Sequence, residues 1–287
     1  MDTKIISKKQ IFITNILTIL AASILALLSK AILPSAVNVE DFNSIFVKFL
    51  GIEVVGSFYF IIIYTHGAIV TQLFGKNAKL SNIQIGVRFG SCFGLIFLLG
   101  MQEVVVNASP FSKWGFDFIE YQFFMGIGEA IAALLMCVII AKFTIEDKGY
   151  DNYFNKNTTY NRWRMVGLIA LTFTIERVIA YKTGIIASDI GTSPIPCYGW
   201  TILFGIALGW CYVILLPIFC EDKNPVIQSF KLVVLTLGLC WTIFNSFIGL
   251  IIDGAIVQVL LRSGLDVLTF FITVLIGIRC RFAYRTK

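Results

Sequence analysis

The chain has 287 residues, of which 57% are hydrophobic and 14% are charged, and its mean hydropathy is +0.85. Soluble domains carry roughly a quarter charged residues, so this composition excludes a soluble globular enzyme. The 23 basic residues exceed the 17 acidic ones. Because most basic residues lie at helix ends and in loops, they do not form a nucleic-acid groove, and we expect no nucleic-acid partner.

The apolar residues occur in unbroken runs of about 18 to 25, the length that crosses a hydrocarbon core of about 30 Å. These runs do not alternate as barrel strands do, so the sequence predicts an all-α membrane protein whose partner is the lipid bilayer. We expect a single transmembrane domain over residues 1–287. In chain order the hydrophobic stretches cover about 11–33, 46–70, 83–106, 120–143, 163–182, 197–219, 232–254 and 256–280.

Ionisable residues are rare inside these stretches. Each costs a few kcal/mol at the bilayer centre unless it is paired or faces water, so each marks the bundle interior or a pathway. Arg262 and Asp266 are four residues apart, so we expect them to share a helix face and to neutralise one another. The ionisable residues singled out on this ground are Lys30, Glu53, His66, Arg88, Glu103, Glu129, Glu176, Arg177, Arg262 and Asp266.

The chain repeats a rhythm of an intramembrane Glu followed by an Asn in a polar break. Glu53 precedes Asn107 by 54 residues, and Glu176 precedes Asn224 by 48. Each Asn is followed by a segment that can form half a helix, at 108–119 and 225–235. Three crossings per repeat would invert the second copy relative to the first. We therefore predict repeats over about 46–143 and 163–260, with extra hydrophobic helices at about 11–33 and 265–280.

A half-helix that ends inside the membrane needs a water-filled cavity at its tip. Asn is a favoured N-cap and Pro a favoured next residue, and Asn224-Pro225 has that form. Two such tips meeting at the midplane would aim their positive dipole ends at one point. That arrangement lets water oxygens bind and opposes cations.

Four motifs resemble those of the aquaporin family. The first box, Asn107-Ala108-Ser109, lacks the usual Pro, and Ile227 stands where many members carry Arg. In these departures the chain resembles the unorthodox, or super-aquaporin, branch of the family in animals. The resemblance covers about 11–260 and rests on Glu53-Val-Val-Gly-Ser-Phe58, Gly128-Glu129-Ala-Ile-Ala-Ala133, Asn224-Pro225-Val226 and Asn245-Ser-Phe-Ile-Gly249.

The resemblance implies six transmembrane helices plus two half-helices, in a passive channel without cofactor or metal. It also implies a homotetramer, and we expect the endoplasmic reticulum or another intracellular membrane. The permeant would be water, glycerol or hydrogen peroxide. By position, the implied constriction residues are Phe89, Tyr212 and Ile227. The implied loop anchors are Glu53, Glu129 and Glu176.

Two alternatives remain open from the sequence. One is a proton- or ion-coupled secondary transporter that uses Glu53, Glu129 and Glu176, and the other is a non-conducting membrane scaffold. Orientation is also open. The basic residues place both termini and the loops 71–82 and 142–164 in the cytoplasm, whereas the aquaporin fold puts the loop after its first helix outside.

Overall fold

The computed structural model describes residues 7–33, 41–106, 115–147, 158–220, 222 and 224–280. Within these ranges all regular structure is helical and no strand occurs. The helices are α1 Lys8–Ile32, α2 Ile45–Leu50, α3 Ile52–Gly75, α4 Asn82–Met101, α5 Gly115–Thr144, α6 Thr158–Lys182, α7 Pro194–Phe219, α8 Pro225–Ser229, α9 Leu239–Ile251 and α10 Ile256–Arg279. A 3₁₀ turn, Gln102–Val105, extends α4, and a π-helical segment, Phe230–Gly238, joins α8 to α9.

Seven helices of the described ranges are long and apolar enough to cross a membrane, which makes the chain a multi-pass integral membrane protein. They are α1, α3, α4 with its 3₁₀ turn, α5, α7, the run Pro225–Ile251 and α10. The remaining long helix, α6, has 25 residues and carries Glu176 and Arg177 near its C-terminus. It packs against α7 and α10 inside the bundle.

Helices α4 and α5 pack antiparallel, as do α6 and α7. On α4, Gly86 lies against Val138 and Gly94 against Ala130 of α5, so one helix runs up as the other runs down. The helix termini therefore fall at two ends of the bundle. End one holds the N-termini of α1, α4, α6 and α8, and end two holds those of α3, α5, α7 and α10.

Gly86, Gly90 and Gly94 of α4 form a close contact with α5. A Cβ atom built on Gly90 would lie 2.7 Å from the Cα atom of Leu134, which leaves no room for a side chain. Small residues permit this approach of two membrane helices, because van der Waals packing drives their association. The same contact recurs between α6 and α7, where Gly205 lies against Ala170.

The second predicted stretch, 46–70, differs from the structure in its boundaries. Gly51 adopts φ of +82°, a conformation that glycine favours, and it separates the short α2 from α3. The spanning helix therefore starts at Ile52 and continues to Gly75. Ser44 caps α2 by accepting from the Val47 amide at 3.1 Å.

The predicted half-helix over 225–235 is wrong. Asn224 does cap α8, since its Oδ1 accepts from the Val226 amide at 2.9 Å. The helix then runs on without interruption to Ile251. Residues 226–237 contain neither Gly nor Pro, so no residue in that segment favours ending a helix.

The π-helical segment lies inside this continuous helix. Thr236 Oγ1 donates to the Lys231 carbonyl at 2.8 Å, five residues back. On α3, the Nε2 atom of His66 lies 2.9 Å from the Leu235 carbonyl. A carbonyl oxygen only accepts, so Nε2 carries the proton. π-Helical turns are rare in proteins, and those that do occur are often found at functional sites.

Candidate functional site: a buried ion cluster beside a cavity

A bidentate ion pair lies in the bundle interior between α6 and α10. The Arg177 side chain is 0% exposed. Its Nε donates to Asp266 Oδ1 and its Nη2 to Asp266 Oδ2, both at 2.6 Å. Trp241 of α9 also donates, from Nε1 to Asp266 Oδ2 at 2.8 Å. Paired N–H donors on one carboxylate form one of the strongest polar contacts in proteins.

Glu103, in the 3₁₀ turn after α4, joins this pair to a second arginine. Arg177 Nη1 donates to Glu103 Oε1 at 2.8 Å. Arg262 Nη1 lies 3.4 Å from Glu103 Oε2. We name Glu103, Arg177, Arg262 and Asp266 the ion cluster, in which two positive and two negative side chains balance.

The ion cluster corrects one prediction. Arg262 and Asp266 share the buried face of α10, as expected from their spacing. Asp266, however, receives its two shortest charged hydrogen bonds from Arg177 of α6, and Arg262 lies against Glu103. The neutralisation therefore joins separate helices, because a buried carboxylate prefers a bidentate guanidinium to a neighbour on its own helix.

Glu176 is a fifth ionisable residue beside the ion cluster. Both of its carboxylate oxygens are buried and have no hydrogen-bond partner among the described residues. Asp266 lies close enough to repel a negative charge on the Glu176 carboxylate. The implied role of Glu176 as a loop anchor stays a prediction. Glu176 lies 18 residues after the start of α6, about 27 Å from end one along the helix.

A second buried ion pair joins α1 to α5. Lys30 Nζ lies 3.3 Å from Glu129 Oε1. The same ammonium lies 4.5 Å from the centre of the Phe60 ring and 5.4 Å from that of Phe247. Aromatic faces attract cations, and this attraction adds to the ion pair. Glu129 is therefore the partner of Lys30; its implied role as a loop anchor stays a prediction.

A cavity of about 410 Å³ lies between these two charged groups. Clefts of roughly 300–1,000 Å³ hold small molecules. Its lining comes from α1, α3, α5, α9 and the end of α4, and every lining residue lies in the half of the bundle nearest end two. The walls are mainly aromatic and aliphatic. The ionisable and amide residues that line it are Lys30, Glu53, Glu103, Gln122 and Asn245.

Two amide oxygens in the cavity wall lack partners. The Asn245 side chain is 1% exposed, and its Nδ2 donates to the Trp241 carbonyl at 3.3 Å. Its Oδ1 and the Oε1 of Gln122 are buried without a hydrogen-bond partner in the described part of the chain. A buried acceptor without a donor costs about 1–3 kcal/mol, so these two positions favour a bound donor.

Glu53 lies at the mouth of the cavity, whereas the sequence predicted a position inside a membrane-spanning stretch. It belongs to the first turn of α3 and is exposed. Its backbone carbonyl accepts from Ser57 Oγ at 2.7 Å, while its side chain lines the cavity. Its implied role as a loop anchor stays a prediction.

The structure describes only one of the two predicted pore motifs, so their meeting at the midplane stays a prediction. Asn107, Ala108 and Ser109 lie outside the described residues. Asn224, Pro225, Val226 and Ile227 lie at end one, away from the cavity, and Ile227 is 46% exposed.

The other two predicted constriction residues are buried. Phe89 and Tyr212 lie on α4 and α7, which meet where Cys92 Sγ is 3.6 Å from the Cys211 carbonyl. Ile227 is exposed near the start of α8, and a constriction formed by these three residues stays a prediction.

Several residues of this site could be singled out from the sequence, but their partners could not. Lys30, Glu103, Arg177 and Asp266 all stood out as charges inside apolar stretches. Their partners were hidden because they lie on other helices, 89 residues apart for Arg177 and Asp266. Gln122 carried no signal. Asn245 was noticed only as part of a motif.

Comparison with known proteins adds no relative. No family model matches the chain, and neither a curated protein nor a solved structure matches it. The fold and site define a multi-pass, all-helical membrane protein with an intramembrane ion cluster beside a solute-sized cavity.

Proposed function

We propose that the protein is a proton-coupled secondary transporter of a small amphiphilic solute. The observation that carries this proposal is that Glu103 belongs to both parts of the site. It lines the cavity and also binds Arg177 in the ion cluster. A solute in the cavity therefore touches the group that holds the buried charges in balance.

The one-sided cavity favours a transporter over a channel. A channel needs a lane through the full depth of the membrane, whereas the lining of this cavity lies in the half of the bundle nearest end two. A cavity confined to one half of the bundle fits alternating access, in which helices move around a bound solute. The water or glycerol channel expected from the aquaporin resemblance stays a prediction, weakened by the continuous helix Pro225–Ile251.

Glu176 supplies the proton site. An ionised carboxylate buried without a partner is costly, so we expect this carboxyl group to hold a proton in the present arrangement. A solute group that binds the Glu103 carboxylate weakens the ion pair between Glu103 and Arg177. The positive charge of Arg177 can then stabilise an ionised Glu176, and the proton held by Glu176 can leave. Solute binding and proton release are linked through one guanidinium.

The test uses protein reconstituted in sealed vesicles that contain a pH-sensitive dye. A panel of amines, amino acids and carboxylates is added outside, and proton movement is recorded beside osmotic shrinkage. We expect at least one class of solute to move protons. Glu176→Gln should lower that coupled rate by about tenfold or more, within the usual range of a coupling free energy.

Glu120→Gln is the matched control, because Glu120 is an exposed carboxylate on α5 outside the cavity lining. It should leave the coupled rate unchanged. Rapid flux of water or neutral solutes without proton movement would support the channel instead. Silence in both measurements would contradict transport and favour the scaffold.

A further inference from the structure

We propose that the cavity binds an organic cation, an ammonium group carried on an aromatic or aliphatic body. That this cation is a transported substrate rests on the proposed function, but its binding does not. Three independent features of the cavity point to the same chemistry: unpaired acceptors, the balance of charge and the aromatic walls.

The unpaired acceptors require a ligand that donates. Asn245 Oδ1 and Gln122 Oε1 are buried oxygens without hydrogen-bond partners among the described residues, and both residues line the cavity. The Asn245 amide is oriented by its own donation to the Trp241 carbonyl, so the oxygen is the free atom. A primary ammonium has three donors and no acceptor, and it can satisfy both oxygens.

The balance of charge favours a positive ligand. Lys30 is the cation in the cavity lining. Its Nζ lies 3.3 Å from Oε1 of Glu129, which does not line the cavity and offsets the charge of Lys30. Glu103 is offset by the arginines of the ion cluster. Glu53 makes no ion pair among the described residues, so it adds a negative charge at the mouth. An anionic ligand would meet this carboxylate on entry, whereas a cation is attracted by it.

The aromatic walls suit both the charge and the body of such a ligand. Tyr59 and Phe247 pack with ring centres 4.5 Å apart, and Phe60 makes an edge-to-face contact with Tyr59 with ring centres 5.1 Å apart. Ring faces attract cations and also bury apolar surface. The aromatic residues that line the cavity are Phe42, Tyr59, Phe60, Phe118, Tyr121, Phe244 and Phe247.

The test measures binding to the purified full-length protein in detergent by titration calorimetry. Four probes share one phenyl body: 2-phenylethylamine, its N,N,N-trimethyl derivative, 2-phenylethanol and 3-phenylpropionate. At neutral pH the amine is a primary ammonium with three donors, and the trimethyl derivative keeps the charge without donors. We expect the ammonium to bind most tightly, the trimethyl derivative next, the alcohol weakly and the carboxylate least.

Asn245→Leu removes the acceptor and keeps the approximate volume. It should weaken binding of the primary ammonium by about tenfold to a hundredfold, since a hydrogen bond to a charged group is lost. The trimethyl derivative should be little affected. Ser246→Ala is the control, because Ser246 bonds the Thr242 carbonyl of its own helix at 2.7 Å and does not line the cavity.

Glu53→Gln is a second variant at an exposed position, where folding is not at risk. It should weaken both cationic probes by about twofold to tenfold and leave the alcohol unchanged, because only a charge is removed. Carboxylate binding at least as tight as ammonium binding would overturn the inference. So would ammonium binding that neither variant alters, or no binding of any probe.

These outcomes are separate from those of the transport test. Proton movement driven by carboxylates, with no ammonium binding, would overturn the cation and keep the transporter. Ammonium binding that depends on Asn245, without coupled proton movement, would keep the cation site and overturn the transporter.

Discussion

Arg177 is the residue on which the interior of the bundle depends. Its guanidinium spans Asp266 and Glu103, and its carbon atom also lies 5.3 Å from the centre of the Phe173 ring and 5.4 Å from that of Trp200. Each N–H and each ring face there offsets part of the cost of burying a charge. A change at any one partner leaves the others with an unbalanced charge in a dry environment.

Asp266→Asn should therefore lower the free energy of unfolding by about 3–5 kcal/mol, the usual cost of removing one partner from a buried ion pair. The measurement is reversible unfolding in mixed micelles followed by circular dichroism. Asp253→Asn, at an exposed residue of the turn before α10, is the control and should change stability by less than about 0.5 kcal/mol.

A double variant, Arg177→Met with Asp266→Leu, checks the reason for that loss. It removes both charges and fills the space with apolar atoms, so it should be more stable than Asp266→Asn alone. Equal losses in the single and double variants would contradict an uncompensated charge as the cause.

At the scale of the helix, the seam between α4 and α5 depends on the absence of side chains. Gly90→Ala would place a Cβ atom 2.7 Å from the Leu134 Cα, a backbone atom that cannot turn aside. We expect a loss of about 1–3 kcal/mol as the two helices separate. Gly167→Ala on α6 is the matched control, because its Cβ would meet nothing within 4 Å.

In that control Ala should be neutral or should stabilise the helix by up to about 1 kcal/mol, because Ala favours helix more than Gly. Equal stability of the two variants, measured by unfolding in the same micelles, would contradict the close seam.

The helices themselves could be predicted from the sequence, because each needs only a long apolar run. The prediction of 256–280 for the last stretch compares with Ile256–Arg279 in the structure. Caps were also readable, as Asn224 shows, since a cap depends on neighbours two residues away. The pairing of Arg177 with Asp266 could not be predicted, because it requires the rotation of two helices to be known. Each residue turns a helix by about 100°.

The second of the two tips that were expected to meet at the midplane is not a half-helix, for a related reason. An Asn-Pro pair signals where a helix starts but not where it stops. The segment after Pro225 contains no Gly or Pro before Gly238, so it was equally able to continue, and it does so to Ile251.

At the scale of the whole molecule, α6 decides the topology. If α6 crosses the membrane with the seven apolar helices, the number of crossings is even, and the start of α1 and the end of α10 face the same compartment. The exposed Cys280 then lies on the side of the connection between α3 and α4. The turn before α10 lies on the other side.

Labelling with a membrane-impermeant maleimide in sealed vesicles checks this. Cys280, and Lys79→Cys in a Cys280→Ser background, should react from the same side. Asp253→Cys in that background should react from the opposite side. Cys280→Ser alone is the blank. Labelling of Cys280 and Lys79→Cys from opposite sides would mean that α6 does not cross.

One helix serves both ends of the molecule. Its first turn is capped by Asn224 at end one, its last turns carry Asn245 into the cavity, and the π-helical segment Phe230–Gly238 lies between them. A π turn holds more residues than an α turn, so the number of residues in this segment fixes the angle between the two ends of the helix. The winding of Phe230–Gly238 therefore sets the direction in which Asn245 faces the cavity, relative to the capped first turn at end one.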